Sequence, residues 1–293
     1  MGVAVTKPDG TPGTPHPPLS PALTRVADTL AANPELGSHG QVAEVARAAG
    51  VNPSTVVRYA QALGYNGWPA LQQELRATYL AGLNASETLR RHNGEEPAGA
   101  VHRALRRDLA NLRAALDTVD PEAADAAIEA IHTATRTLVV ASGSYVAPAH
   151  LLAHLGPTMG LPITLESRGG VHLATALSGI GPGDCVVAVS FWRQTRDTLL
   201  AARIAAEAGA TVVAVTDANT GVAAHARHVL KVPSEGLSFF QSTTAAVSVV
   251  YGLLAGLGAR RGPGADAALR RTEELWEALG ALGTPGTSPG TAR

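Results

Sequence analysis

Residues 41–65, QVAEVARAAGVNPSTVVRYAQALGY, decide the fold of the first part of the chain. Alanine, valine and leucine recur every three or four residues on both sides of Gly50, which predicts two short amphipathic helices. Gly50 is typical of the position just past a helix end, and Asn52-Pro53 is typical of an N-cap followed by a first-turn proline. A turn this short sets the second helix across the first. The stretch therefore predicts a helix-turn-helix, whose second helix lies in the major groove of DNA.

The second predicted helix carries side chains suited to DNA. Ser54 and Thr55 lie in its first turn, where hydroxyls and free backbone amides can meet a phosphate. Arg58 and Tyr59 follow one turn later; arginine can contact guanine with two hydrogen bonds, and tyrosine can contact the backbone or a thymine methyl. These four residues are the predicted DNA contacts. The alternative is an ordinary helical hairpin in which Arg58 is only solvated.

Composition indicates a soluble protein with two domains. The length of 293 residues exceeds a typical single domain, and 45% hydrophobic residues suffice for buried cores. The formal net charge of -1 gives no overall basic signal, so a DNA-binding face would have to be locally basic. No signal segment or membrane-spanning run is evident, and the single cysteine, Cys185, sits in an apolar run that predicts burial. We expect a cytoplasmic, non-membrane protein without a metal or other cofactor.

The remaining segments divide the chain into five parts. Residues 1–18 are rich in proline and glycine and predict a disordered arm, and residues 19–83 form the predicted DNA-binding domain. Residues 84–136 predict a charged helical connector, with leucines on one face and arginines turned outward. Residues 137–260 form a second domain, and residues 261–293 a helix and a disordered tail.

The second domain contains a repeating pattern of strands and helices. Short apolar, β-branched runs occur at 137–142, 161–166, 185–190, 211–216 and 228–233, and helical segments alternate with them. Continuous apolar strands of this kind predict a five-stranded parallel sheet covered on both faces. Ligands of such sheets bind beyond the carboxyl ends of the strands.

Hydroxyl side chains follow two of these strands. The first strand ends in Ser142-Gly143-Ser144, and the third ends in Ser190 with Thr195 opening the next helix. Each turn presents small donors and backbone amides at a helix N-terminus, where an anion such as phosphate is favoured. Tight strand-to-helix turns also use glycine and serine for structural reasons alone, so each turn has this second interpretation.

The chain resembles the RpiR/MurR family of transcriptional regulators. The resemblance rests on VARAAGVNPSTVVRYAQALGYNGWPALQQEL in the first domain and, more diffusely, on residues 137–258, which resemble the SIS (sugar isomerase) phosphosugar-binding domain. It implies an all-α helix-turn-helix domain followed by an α/β SIS domain. It also implies a DNA-binding repressor or activator, a homodimer or homotetramer, whose affinity for a double-stranded operator changes when a phosphosugar binds.

One loop departs from the family pattern. Sugar-phosphate-binding members end the third strand in a serine-any-serine-glycine-any-threonine loop, whereas this chain has SFWRQT, which keeps Ser190 and Thr195. Trp192 and Arg193 must reshape or fill the pocket, or Arg193 binds a carboxylate or phosphate directly. Ser238 and Ser242, after the fifth strand, are further candidates for the pocket, and a helix cap is the alternative for Ser242.

Two other classes of function remain open. SIS folds also form sugar-phosphate isomerases, which would need a base such as Glu235 and a ring-opening partner such as His150 or His154. A helix-turn-helix domain has no evident use in an isomerase, so we expect no enzymatic activity. The third class is a ligand-sensing module that acts through protein partners, with the hairpin as its interaction surface.

Overall fold

The computed structural model describes residues 19–82, 98–237 and 240–281. Parts of several predictions lie outside these ranges. They are the disordered arm at 1–18, the first part of the helical connector, the tail beyond 281, and Ser238 as a pocket residue.

The first domain consists of five helices. They are α1 (Pro21–Ala32), α2 (Pro34–His39), α3 (Val42–Ala48), α4 (Pro53–Ala62) and α5 (Trp68–Gly82). The predicted turn between α3 and α4 is confirmed, because Gly50 has a φ of +61° and α4 starts at Pro53. The short helix α2 was not predicted; Asn33 ends α1 and directly precedes Pro34, which opens α2. The helix-turn-helix is thus held in a five-helix domain.

Aliphatic side chains, one tryptophan and two tyrosines form the core of this domain. Val26 of α1, Val45 of α3 and Val56 of α4 are fully buried, and they pack with Trp68 and Leu71 of α5. Trp68, the first residue of α5, is 3% exposed. This packing fixes the angle between α3 and α4 and leaves one side of α4 toward solvent.

The second domain is a three-layer α/β fold. Its strands are β1 (Thr137–Ala141), β2 (Ile163–Glu166), β3 (Cys185–Val189), β4 (Thr211–Thr216) and β5 (His228–Lys231). They form one parallel sheet in the order β2-β1-β3-β4-β5, as the apolar runs predict. The order reverses between β1 and β3, and this topological switch point is where such sheets bind ligands.

Helices cover both faces of the sheet. They are α6 (Ala100–Thr118), α7 (Pro121–Thr133), α8 (Val146–Thr158), α9 (Gly170–Leu177), α10 (Arg196–Glu207) and α11 (Thr244–Arg261), followed by α12 (Pro263–Ala278). One core unites alternate strand residues with α6, α7, α8 and α11, and the other unites the remaining strand residues with α9 and α10. Cys185 is fully buried in the first core, as predicted.

The helix α6 buries a different face from the one that the leucine spacing suggests. Asn111 and Ala115 are buried against the α/β domain and Leu112 packs partly against the same core, whereas Leu105, Leu109 and Leu116 are exposed. Leucine spacing predicts that these residues share a face, but it does not say which neighbour covers that face. The arginines are not all turned outward either. Arg107 is half-buried in an ion pair with Glu235, at 3.0 Å between Nη1 and Oε2.

No helix within the described ranges is long and apolar enough to cross a lipid bilayer.

Candidate functional site

The exposed side of α4 carries the residues best placed to meet DNA. Ser54 and Arg58 are exposed, and Gln61 lies one turn further along the same side. Nη2 of Arg58 donates a hydrogen bond to Oγ1 of Thr55 at 3.3 Å. This bond runs along the helix and leaves the other guanidinium donors of Arg58 directed to solvent. The structure therefore presents a hydroxyl, a guanidinium and an amide on one helix face.

Thr55 and Tyr59, the other two predicted DNA contacts, do not lie on this face. Their exposed fractions are 5% and 8%, and Tyr59 packs in the domain core with Val56. Burial, with a smaller contribution from Asp28, raises the pKa of the Tyr59 hydroxyl. Because side chains one helical turn apart share a face, Thr55 and Tyr59 turn inward together. Thr55 and Tyr59 hold α4 in place, and Ser54 and Arg58 are the two predicted DNA contacts that are exposed.

The carboxyl ends of the strands bring the predicted ligand residues into one row. Ala141 pairs with Val189 across β1 and β3, so the next residues on these strands, Ser142 and Ser190, are level at the switch point. Ser190 continues toward β4 by donating its backbone N–H to the carbonyl of Val215 at 3.1 Å. The two hydroxyl-rich turns therefore lie side by side at this edge of the sheet, in a region that we call the switch-point cleft (Ser142–Ser144, Ser190 and Thr195).

Direct contacts join the two sides of the switch-point cleft. Oγ1 of Thr195 lies 3.3 Å from Oγ of Ser142, within hydrogen-bonding distance. Thr195 is also the N-cap of α10, and the ring of Tyr145 packs edge-on against Phe191 at 5.3 Å between centroids. Burial, with a contribution from Asp217, raises the pKa of Tyr145 to about 12. Hydroxyls, backbone amides and two helix N-termini thus converge, an arrangement suited to an anion.

The individual residues of this cleft differ in accessibility. Gly143 and Ser144 are exposed, and Ser142 and Thr195 are half-buried. Ser190 is only 1% exposed, and its Oγ has no hydrogen-bond partner among the described residues. In this conformation the Ser190 hydroxyl lies out of reach of a ligand, so contact with a ligand requires the loop to move.

Arg168 is a cationic residue just beyond β2 that the sequence patterns do not single out. Val140 of β1 pairs with Glu166 of β2, and Arg168 follows Glu166 by two residues, at the carboxyl end of its strand. Nη2 of Arg168 lies 2.7 Å from Oε2 of the buried Glu166, and this hydrogen bond lowers the pKa of the Glu166 carboxyl. The signal in the sequence, one arginine shortly after a strand, is too common to identify such a residue without the strand order.

Trp192 and Arg193 turn toward a different cavity. Trp192 is the only non-glycine residue with positive φ in the described ranges, at +50°. Its backbone N–H donates to both carboxylate oxygens of Asp217 at 3.0 and 3.1 Å. The Arg193 guanidinium lies 5.8 Å from the centre of the Trp192 ring. Both residues line a cavity of about 440 Å³ together with Glu74 and other residues of both domains. Arg193, which the sequence predicts as a ligand contact, thus lies beside α5 of the first domain.

Ser242 likewise has a structural partner. Its Oγ donates a short hydrogen bond to Oδ1 of Asp108 in α6, and Thr244 Oγ1 donates to Oδ2 of the same carboxylate at 2.7 Å. The Ser242 hydroxyl also accepts from the N–H of Thr244 at 3.3 Å. The structure therefore favours the alternative interpretation, in which Ser242 caps the start of α11 and ties it to α6.

The residues considered for an isomerase are not brought together. Glu235 Oε2 lies 3.0 Å from Nη1 of Arg76 and 3.0 Å from Nη1 of Arg107. His150 and His154 stack on each other on α8 with ring centroids 5.7 Å apart. No hydrogen bond or ion pair in the described part of the chain joins either histidine to Glu235.

Comparison with known proteins identifies both domains. Residues 16–82 match the model of the helix-turn-helix domain of the rpiR family, and residues 132–255 match the model of the SIS domain. The chain is 25% identical over 261 residues to the HTH-type transcriptional regulator HexR of Pseudomonas aeruginosa, covering 87% of this chain and 90% of HexR.

Two solved structures have the same fold. The sugar isomerase domain of an RpiR transcription factor from Sphaerobacter thermophilus is 34% identical with a TM-score of 0.59, covering 60% of this chain and 99% of that domain. The Vibrio vulnificus NanR protein, solved in complex with ManNAc-6P, is 20% identical with a TM-score of 0.56 and covers 89% of this chain and 95% of that protein.

Proposed function

The chain belongs to the RpiR family of transcriptional regulators, and we propose that it binds a double-stranded DNA operator through α4. We further propose that a phosphorylated sugar, or a related anionic metabolite, binds at the switch-point cleft and changes this affinity. The observation that carries the proposal is the combination of an exposed Ser54–Arg58 face on α4 with two hydroxyl-rich turns joined through Thr195 and Ser142.

Arg58 is the proposed base-reading residue. It is exposed on a helix whose opposite side is anchored in the domain core, so its position relative to DNA is set by the fold. A guanidinium that makes two hydrogen bonds to guanine contributes about 1–3 kcal/mol of discrimination against the wrong base. Ser54 at the helix N-terminus is the proposed phosphate contact.

The chemistry of the cleft supports an anionic ligand. Ser142, Ser144 and Thr195 supply hydroxyls at two helix N-termini, and Arg168, paired with Glu166 in this conformation, is the arginine that follows the neighbouring strand β2. Arginine suits phosphate and carboxylate equally well, so the cleft favours a phosphorylated sugar or sugar acid. NanR, which has the same fold, was solved with ManNAc-6P, and this relative supports the choice of a sugar phosphate.

A second copy of the chain is the proposed partner. Val101, Leu105, Leu109 and Leu116 are exposed at intervals of four, four and seven residues, so they form one apolar stripe along α6. A stripe of this length on a soluble protein marks an interaction surface. A homodimer, or a homotetramer built from two dimers, would place two copies of α4 on the two halves of a near-palindromic operator. Action on DNA also implies a cytoplasmic location and needs no catalytic residue.

The first test is a fluorescence-anisotropy titration with promoter fragments that adjoin the gene, at two salt concentrations. ManNAc-6P, glucose 6-phosphate, 6-phosphogluconate and inorganic phosphate are added in turn. We expect fragment-specific binding that weakens with salt because phosphate contacts release counterions. A phosphosugar should change the affinity about 5- to 150-fold, the usual range of allosteric coupling.

The matched variants are Arg58→Ala and Arg203→Ala, which remove the same charge from α4 and from the exposed surface of α10. Arg58→Ala should lower affinity for the specific fragment about 5- to 150-fold while non-specific binding changes much less. Arg203→Ala should leave specificity unchanged. Equal effects of the two variants, or no preference for any fragment by the unmodified chain, would contradict the proposed DNA readout.

A further inference from the structure

We propose that residues 231–237, which we call the β5 exit segment, couple the switch-point cleft to the DNA-binding domain. The inference rests on the proposed function, because it assigns the path by which a ligand in the cleft acts on α4. It names two links, one from the segment to α5 and the other from the segment to the SFWRQT loop.

The first link consists of ion pairs between the segment and the DNA-binding domain. Glu235 lies 3.0 Å from Arg76 of α5, and Nε of Arg76 also donates to the carbonyl of Ser38 in α2 at 2.9 Å. At the other end of the segment, Lys231 lies 3.6 Å from Glu74 of α5. Glu74 accepts a further hydrogen bond from Asn219 at 3.0 Å. Both charged residues of the segment are therefore paired with α5, which packs against the core beneath α4.

The second link is a hydrogen-bond relay to the cleft loop. Oγ of Ser234, next to Glu235, donates to Oδ2 of Asp217. Asp217 in turn accepts the N–H of Trp192, which holds this residue in the left-handed backbone region that non-glycine residues rarely adopt. The conformation of the loop thus depends on Asp217, and the position of Asp217 depends on the segment.

Open volume borders the segment on the side of the DNA-binding domain, while Asn111 and Thr118 of α6 donate hydrogen bonds to its backbone carbonyls at Glu235 and Lys231, each at 2.8 Å. Asp217 lines the cavity of about 440 Å³ described above and also a cavity of about 310 Å³. The second cavity is bordered by Arg76, Arg107, Asn111 and Ser234, which come from both domains. Contacts between the domains are therefore polar and flanked by open volume, the kind of interface across which domains move relative to one another. A ligand that shifts the loop changes the geometry of Asp217, and the ion pairs with α5 respond.

The segment also explains why the loop departs from the family pattern. A serine at position 192 would offer a hydroxyl to the ligand, whereas Trp192 places its ring beside Arg193 and the DNA-binding domain. The loop therefore contributes to two different sites. Thr195 and Ser190 lie at the switch-point cleft, whereas Trp192 and Arg193 line the cavity between the domains. We assign Trp192 as a positioning residue of the coupling rather than as a ligand contact.

A ligand-independent test uses hydrogen–deuterium exchange of the full-length chain with Ser234→Ala. This change removes the relay at a residue that belongs neither to α5 nor to the loop. We expect exchange to rise about 5-fold, the usual effect of one lost hydrogen bond, both in α5 (residues 68–79) and in the loop (residues 190–195). Exchange in β1 and α7 should stay unchanged, which separates coupling from general destabilisation. Ser178→Ala is the control, since it removes one serine hydrogen bond, to the carbonyl of Thr175, elsewhere in the SIS domain.

Asp217→Asn provides a second variant because it keeps a hydrogen-bond acceptor of the same shape and removes the charge. It should raise exchange in the same two regions. If either variant alters the loop and leaves α5 unchanged, or alters α5 and leaves the loop unchanged, the coupling is refuted.

The ligand-dependent test compares Glu235→Gln with Glu129→Gln. Glu129 pairs with Arg260 at 3.0 Å within the SIS domain, so its variant makes the same change of side chain and removes an ion pair far from α5, whereas Glu235→Gln removes the pairs with both Arg76 and Arg107. The ligand is ManNAc-6P or another member of the panel that changes operator affinity. In Glu235→Gln the ligand should change operator affinity by no more than about 2-fold. In Glu129→Gln it should change operator affinity as much as in the unmodified chain. A full response in Glu235→Gln would overturn the inference. If the unmodified chain itself bound no operator, the proposed function would fail, and the exchange experiment would still decide whether the segment couples the two domains.

Discussion

The clearest single test of the switch-point cleft is the replacement Ser190→Ala. Ser190 is 1% exposed, and its hydroxyl has no hydrogen-bond partner among the described residues. Leaving a buried hydroxyl unsatisfied costs about 1–3 kcal/mol, while the packing lost with one oxygen atom offsets part of this gain. The backbone hydrogen bond to Val215 is unaffected by the change. We therefore expect Ser190→Ala to stabilise the chain by about 1 kcal/mol.

The assay is thermal and urea unfolding, with titration by the phosphosugar panel on the same samples. A gain of about 1 kcal/mol raises the melting temperature of a domain of this size by about 2–4 °C. The same variant should weaken ligand binding, because a polar group kept unsatisfied in the free protein is expected to serve the ligand. The control is Thr198→Val, which keeps the volume of a buried side chain but removes its hydrogen bond to Thr195 at 2.9 Å. It should destabilise by about 1 kcal/mol.

The two readouts decide the argument separately. If Ser190→Ala lowers the free energy of unfolding, the hydroxyl is satisfied in solution and the reasoning about its burial is wrong. If stability rises but ligand affinity stays the same, Ser190 is not a ligand contact, and the proposed site reduces to Ser142–Ser144, Arg168 and Thr195.

Three further outcomes follow from burial and exposure elsewhere. Burial raises the pKa of the Cys185 thiol to about 12, so we expect no reaction with a thiol reagent at pH 8 until urea unfolds the chain. Rapid labelling of Cys185 in the folded chain would contradict this. The pKa values of Tyr65 and Tyr145 are each raised to about 12, chiefly by burial, whereas unfolded tyrosines ionise near pH 10. The unfolded state therefore binds fewer protons than the folded state between pH 10 and 12, so the free energy of unfolding should fall as the pH rises through that range. The fall should be less steep in Tyr145→Phe. A melting temperature that does not change with pH in this range would argue against the burial of these tyrosines. The double variant Leu105→Glu with Leu109→Glu should reduce the mass measured by light scattering to that of a monomer. The monomer should keep its helical circular dichroism, because both leucines are exposed, and an unchanged mass would exclude the α6 stripe as the dimer contact.

Local sequence patterns predicted most of the secondary structure because most strands, helices and turns are determined by residues close together in the sequence. The strands are continuous runs of apolar, β-branched residues, and each run became a strand of the parallel sheet. Gly50 and Pro53 determine the turn of the helix-turn-helix through backbone geometry alone. The short helix α2 was missed because six residues are too few for a helical period to emerge.

The faces of helices were harder to predict, since they depend on distant neighbours. The leucines of α6 share a face, as their spacing indicates, but the α/β domain covers the side that contains Asn111 and Ala115. On α4 the same limitation affected Thr55 and Tyr59, which turn into the core while Ser54 and Arg58 remain exposed.

The candidate ligand site was predictable in part. Ser142 and Thr195 meet because parallel strands bring their carboxyl ends to one edge of the sheet, which the strand pattern implies. The partners of Ser242 and the surroundings of Arg193 depend on how α5 and α6 pack on the SIS domain, and no local pattern encodes that packing.

The packing of α6 and α7 on the sheet determines how the chain can be divided for expression. Ala127, Ile128 and Ile131 of α7 belong to the same core as β1 and β3, and Ala115 of α6 completes that core. A fragment that began at β1 would leave this apolar layer open to solvent and would be expected to aggregate. A sensor fragment should therefore start before Ala100, upstream of the first residue matched by the SIS model.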